Sequence, residues 1–267
     1  MKLSRRTMMA AIGAGLLMGT MGSPATAQTV ESIKQAGTVK VGMLVDFPPF
    51  GLMNANNEPD GYDADVAKLL GEEWGVKVEI VPVSGPNRIP YLQSNQVDLL
   101  IAGLGITEER KKTIDYSQPY AGISIGVFGS KDVKVTDAAD LAGKTVAVAR
   151  ASTQDTALTK IAPEGTTIQR FDDDASAVQA LLSGQVELMG LSNVVAAQIE
   201  KAAPGKYEQK FVFNQQLQGI AIRKGSTELQ AALNAFITKL MADGRLEAIH
   251  EKWLGSPLPD FVKEAKN

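Results

Sequence analysis

Apolar residues along this chain fall into two repeating patterns. Short runs of strand length occupy 39–43, 76–81, 97–102, 123–128, 145–149, 167–171, 187–191, 211–213 and 219–222. Between most of them the apolar positions change to the three- and four-residue spacing of a helix face. Asp63 caps one such stretch, with Val66, Leu69 and Leu70 on one face and Gly75 as its stop. Asn87 opens a short one carrying Ile89, Tyr91 and Leu92, and Thr107, Ser152, Asp174 and Asn193 stand where others begin. Thr227 caps a long amphipathic helix bearing Leu229, Leu233, Phe236, Ile237 and Leu240, and a last helix covers 244–253. The segment 46–50 reads as a rigid proline loop and 54–61 as a turn-rich hairpin.

Strands that alternate with helices argue for parallel sheets covered on both faces. Two such units follow one another, joined at 117–125 and again at 214–219. The pattern predicts two lobes with a double crossover, and a cleft between lobes is a favoured small-molecule site. A single doubly wound domain fits the same periodicity.

The stretch DLLIAGLGITEER at 98–110 concentrates the chemistry. A buried strand ends at Gly103 and Gly105, where the backbone can approach another group closely. Thr107 suits an N-cap, and Glu108 and Glu109 suit the turn that follows. Arg110 then brings a guanidinium fit for bidentate capture of a carboxylate. Open α/β sheets hold ligands at such strand ends, so this stretch predicts a pocket for a small anion or zwitterion.

Composition narrows the function classes. Lys2, Arg5 and Arg6 precede an apolar stretch over 8–21, and ATA at 25–27 is an A-x-A cleavage site. Residues 1–27 are therefore expected to be an export signal, with SRRTMM at 4–9 also resembling a twin-arginine signal. Without those 27 of its 267 residues the chain keeps 240, enough for one large or two medium domains. Losing three of 27 Lys+Arg leaves 24 against 30 Asp+Glu, a net charge near −6. That argues against nucleic acid or an anionic membrane as partner. The chain has no cysteine, which excludes disulfides, thiol catalysis and thiolate metal sites. His250 is the only histidine, so a histidine-based triad or zinc cluster is not expected; beside Glu247 and Glu251 it reads as part of a solvated helix face. Neither a cofactor nor a metal is expected.

Several strings in order and spacing carry a resemblance to a known family. They are VGMLVDFPPF at 41–50, GYDAD at 61–65, NRIPYL at 87–92, the 97–110 stretch, and DYSQPY at 115–120. LAGKTVAV at 141–148, residues 171–191, GIAIRKG at 219–225 and MADGR at 241–245 match more loosely. Together they resemble the solute-binding proteins of ABC importers, in the family that holds the polar amino-acid binders. The resemblance implies a bilobal periplasmic-binding-protein fold, with two parallel or mixed sheets flanked by helices and a two-strand hinge. It divides the chain into lobe 1 (28–121 and 220–267) and lobe 2 (122–219). It also implies a periplasmic monomer that closes around its ligand and hands it to an ABC permease in the inner membrane.

By position, Phe47 matches the aromatic that packs on the ligand. Ala102 and Gly103 match backbone contacts, and Arg110 matches the arginine that pairs with the α-carboxylate. Ser152 and Thr153 match the helix N-terminus that receives the same carboxylate, a place suited to an anion by its dipole and free amides. Two positions depart from the family. Gly105 stands where a Ser or Thr hydroxyl helps hold the α-ammonium, and Asn193 falls where an Asp neutralises it. Either the ligand lacks a free α-amino group or another acid, Asp46 or Asp63, takes over, because a buried ammonium without a carboxylate is costly. Arg88 resembles the arginine that acidic-amino-acid binders use for a side-chain carboxylate, and Arg150 precedes the second anion position. These arginines, with few facing acids, lean towards an acidic or polar amino acid or a related carboxylate.

The same fold resembles periplasmic cyclohexadienyl dehydratases, an enzyme alternative that needs a general acid in the cleft. Glu187 is the nearest such acid in lobe 2, although it alternates with Leu188 in a strand.

Overall fold

The computed structural model describes residues 28–265; the export-signal reading of 1–27 lies outside the described residues. Thr29 caps α1 (Val30–Ala36), and Gly37, left-handed at φ 69°, ends it and turns the chain into β1 (Thr38–Met43). The proline loop and hairpin expected over 46–61 form a small antiparallel sheet of β2 (Asp46–Phe47), β3 (Gly51–Met53) and β4 (Pro59–Asp60). Next come α2 (Tyr62–Trp74), β5 (Lys77–Pro82), α3 (Arg88–Gln93), β6 (Leu99–Leu100) and α4 (Glu108–Lys111). β1 lies between β5 and β6, parallel to both, and Val39, Val41 and Met43 are fully buried.

The long strand β7 (Ile114–Ser130) leads into a second unit. It contains β8 (Thr145–Ala149), α5 (Thr153–Ile161), β9 (Thr167–Phe171), α6 (Asp174–Leu182), β10 (Leu188–Ser192) and α7 (Asn193–Ala202). β8 is parallel to β9 and β10. An equally long strand, β11 (Tyr207–Arg223), returns to the first unit, where α8 (Thr227–Ala242), α9 (Arg245–Leu254) and α10 (Asp260–Lys263) complete the chain.

β7 and β11 pair antiparallel along their length and carry β6 on one side and β10 on the other. The two expected sheets therefore hydrogen-bond into one, in the order β5-β1-β6-β11-β7-β10-β8-β9. Strands expected at 211–213 and 219–222 are one strand. Polar amides at 214–218 interrupt the apolar pattern, but ladder pairing needs only backbone groups. Gln216 and Gln218 are buried there at 4% and 0% exposure.

His250 departs from the solvated face expected of it. It is 3% exposed, its Nδ1 lies 2.6 Å from the Ser256 carbonyl, and the Tyr62 ring meets it edge-on at 6.0 Å. It continues the buried stripe of Leu246 and Ile249, which α9 turns towards α2, and burial pushes its pKa down. Glu187 is exposed at the start of β10, away from the cleft described below.

Candidate functional site

The turn after β6 is pinned to β11 before any side chain is considered. The Ile106 amide donates to the Leu217 carbonyl at 2.8 Å, the Gly219 amide donates to Leu104 at 3.3 Å, and Gly105 bridges Gln218. Gly103 sits at φ 54°, and a Cβ there would fall 2.9 Å from the Phe47 ring. Phe47 is buried and stacks on Phe50 at 5.4 Å. Both Phe47 and Gly103 line a cleft between the two units.

Arg110 joins the two units and reaches the cleft wall through Thr153, without lining the cleft itself. Its Nη1 donates to the Gly105 carbonyl at 2.9 Å and to Thr153 Oγ1 at 3.2 Å; its Nη2 donates to the Ala151 carbonyl at 2.8 Å. Arg88, 5% exposed, lines the cleft itself. Its guanidinium donates to Gly85, to Ala102 at 3.2 Å and to Ala151 at 3.5 Å. Ala102 thus offers a carbonyl that Arg88 already uses. Among the described residues no carboxylate lies within 4.0 Å of either guanidinium. Burial lowers both pKa values, that of Arg88 to about 10 with repulsion from Arg110 adding to it.

The opposite wall is the start of α5. Ser152 Oγ accepts from the Asp155 amide at 3.0 Å, so its capping role is visible, and Thr153 is the first helical residue. Ala151 is left-handed at φ 58°, a conformation that costs a residue with a Cβ on the order of 1 kcal/mol. That turn aims its carbonyl at both arginines. Arg150 is exposed and lies 3.6 Å from Asp172.

Residues 39–256 match the bacterial extracellular solute-binding proteins, family 3. The chain belongs to that family. Among its relatives is the L-cystine-binding protein TcyJ of Escherichia coli K12, 28% identical over 263 residues, 95% of this chain and 97% of that protein. Another is the glutamine-binding protein GlnH of Bacillus subtilis, 31% identical over 255 residues and 92% of each chain. Among solved structures, an ancestral arginine-binding protein bound to arginine is 37% identical with a TM-score of 0.77, over 82% of this chain and 99% of that one. The fold of this family-3 protein is accordingly the bilobal one of the periplasmic binding proteins, its two α/β units sharing the β7–β11 pair.

Two expectations about this solute-binding protein's site need correction. Asn193 does not reach the cleft: it is exposed at the start of α7, its Oδ1 accepts from the Ser124 amide at 3.1 Å, and it lines a separate cavity with Trp253 and His250. Nor is the cleft poor in acids, for Asp46, Asp172, Asp173 and Asp174 all line it. Sequence reasoning missed Asp174 by reading it as a cap. Asp173 is the cap, accepting from the Ser176 amide at 2.6 Å, and Asp174 turns inward. The packing of α6 against β2 brings it near Asp46, a tertiary contact with no local signature beyond the acidic run at 172–174.

Burial drives the Asp174 carboxyl up to about 7; Asp46 adds repulsion, while Arg88 and a 3.5 Å contact from Gln154 oppose it. Asp46 is raised by burial and by Asp173. Asp63, the other acid considered for an ammonium, lies behind the cleft. It accepts from the Tyr120 hydroxyl at 2.7 Å, and burial lifts it to about 7. Among the described residues there is no cluster of three or more metal-binding side chains, and no helix is long and apolar enough to cross a membrane.

Proposed function

We propose that this protein is the periplasmic binding component of an ABC importer, and that it closes around one polar α-amino acid for delivery to an inner-membrane permease. The observation that carries this reading is the charge pattern of the cleft. A guanidinium and a helix N-terminus meet at Thr153, while Asp46 and Asp174 stand in the same small cleft. A zwitterion with a polar side chain satisfies both sets; a dicarboxylate leaves the acids facing like charge. Cystine, glutamine and arginine, the ligands named for the relatives, are all polar α-amino acids.

In this reading Arg110, Ser152 and Thr153 take the α-carboxylate, and Phe47 packs on the ligand with the backbone at Ala102 and Gly103. Arg88 holds the wall, and Asp46 and Asp174 meet a cationic or amide side chain. The moving bodies are 28–121 with 220–267, and 122–219, working as a monomer. A thermal-shift screen of stripped protein tests it, with L-arginine, L-glutamine, L-cystine and L-glutamate beside their amine-free acids. A ligand at a hundredfold excess over Kd adds about 2.7 kcal/mol of stability. Shifts confined to the amine-free acids, or none at all, would overturn the proposal.

One observation favours a second reading. Asp174, buried in the cleft with its pKa near 7, has the protonation behaviour of a general acid. Turnover of a cyclohexadienyl acid that disappears in Asp174→Asn is the result that would move this protein to the lyases.

A further inference from the structure

The glycine at 105 has a structural counterpart on the adjoining strand β11. A Cβ built on Gly105 would lie 1.7 Å from Gln216 Nε2, 2.2 Å from its Cδ and 2.7 Å from Thr153 Oγ1. The Gln216 amide thus fills the volume that any side chain at 105 would take. Gln216 is 4% exposed, lines the cleft and carries an Oε1 with no hydrogen-bond donor among the described residues. Buried acceptors are rarely left without a donor, because their desolvation is then uncompensated. On the turn itself the Gly105 carbonyl already accepts from Arg110 at 2.9 Å and from the Tyr116 hydroxyl at 3.0 Å.

The position of the amide is set by the backbone. Gln216 pairs with Ile123 in the β7–β11 crossing, and the bond from Ile106 to Leu217 locks the turn beside it. The amide group therefore stands beside Thr153, which receives the Arg110 guanidinium, and its oxygen is the end without a donor. An α-ammonium is one carbon from its carboxylate and brings three N–H donors.

We infer that Gln216 is a specificity-determining residue: its Oε1 accepts from the ligand's α-ammonium, the role that the family resemblance gives to a hydroxyl absent at Gly105. The inference rests on the reading that the ligand is an α-amino acid. It makes positions 105 and 216 a coupled pair, in which the glycine exists to admit the amide. A threonine at 105 alone then harms binding rather than improving it.

The test is a double-mutant cycle on the full mature protein, read by isothermal titration. The probes are L-arginine against 5-guanidinopentanoate and L-glutamine against glutaramate, using the pair wild type binds. Gln216→Ala is expected to weaken the amino acid by about tenfold or more and the amine-free acid by less than about twofold, as befits loss of one bond to a charged donor. Gly105→Thr weakens both members by collision. Gly105→Thr with Gln216→Ala recovers amino-acid affinity to within about threefold of wild type, since distant effects would add and these do not. Should either alanine variant fail to fold by circular dichroism, Gln216→Glu keeps the volume, and it must retain or sharpen the preference for the amino acid. A wild type that binds no α-amino acid sinks the underlying reading and this one with it. A wild-type preference for the amine that survives in Gln216→Ala, or is lost in Gln216→Glu, overturns the role of Gln216 alone.

Discussion

Two helices of the second unit begin alike and face different partners. β8 runs into Ser152 and α5, and β10 runs into Ser192 and α7. In each, a buried serine turns its hydroxyl oxygen to the third helical amide, at 3.0 Å from Asp155 and 3.4 Å from Val195. Only at α5 does the residue before the cap turn left-handed and offer its carbonyl to Arg110 and Arg88. At α7 the residue after the cap is Asn193, which bonds Ser124 and looks towards Trp253 and His250. Every helix start has a dipole and free amides. The difference teaches that the facing unit, not the helix start, sets one of them apart as the proposed binding position.

The largest effect that separates the two helices is expected from the arginine that faces only one. Arg110→Ala should lower amino-acid affinity by about 100-fold or more, and Arg110→Lys should recover little, since one ammonium cannot replace a forked donor. Titration calorimetry reads the loss, and unchanged circular dichroism shows that the fold survives. Normal affinity would remove α5 and Arg110 from the site.

Next in size is the acid that shares the cleft with α5. Asp174 is held near 7, so at pH 6 it is mostly protonated and a cationic ligand must displace that proton. Affinity for L-arginine should therefore rise with pH up to about 7, by at most about tenfold per pH unit, and level off above. Asp174→Asn should flatten the profile; a slope that persists in the variant places its source elsewhere.

The caps come third. Ser152→Ala and Ser192→Ala should each cost about 1 kcal/mol in urea unfolding, because each leaves a helix amide without its acceptor. Only Ser152→Ala should also weaken the ligand, by a few-fold. Equal effects of the two on affinity would erase the distinction between the helices. The smallest effect is expected from Asn193→Asp, with affinity staying within about twofold because exposed charges at this remove are screened.

Much of this was open to a reader of the chain. The apolar spacing predicts α8 with Leu229, Leu233, Phe236, Ile237 and Leu240 inward, and all five are buried. The 98–110 stretch predicts a strand, a glycine turn and a helix capped by Thr107, which accepts from the Arg110 amide at 3.2 Å. Less legible was the second wall. Asp174 sits one residue past the true cap, and the choice between Asp173 and Asp174 turns on how α6 lies against β2. The glutamates flanking His250 signal solvent, whereas its own face continues a buried stripe.

Patterns of one to four residues are local, and so the elements, their caps, the glycine turn and the family could be read from the order of residues alone. The union of two sheets, the opposed fates of Ser152 and Ser192, and the fit of the Gln216 amide into the space above Gly105 belong to tertiary structure. Each depends on groups tens to more than a hundred residues apart in the chain and a few ångström apart in space. Burial and neighbouring charge, which decide what a carboxyl or an amide can do, exist only once those groups have met.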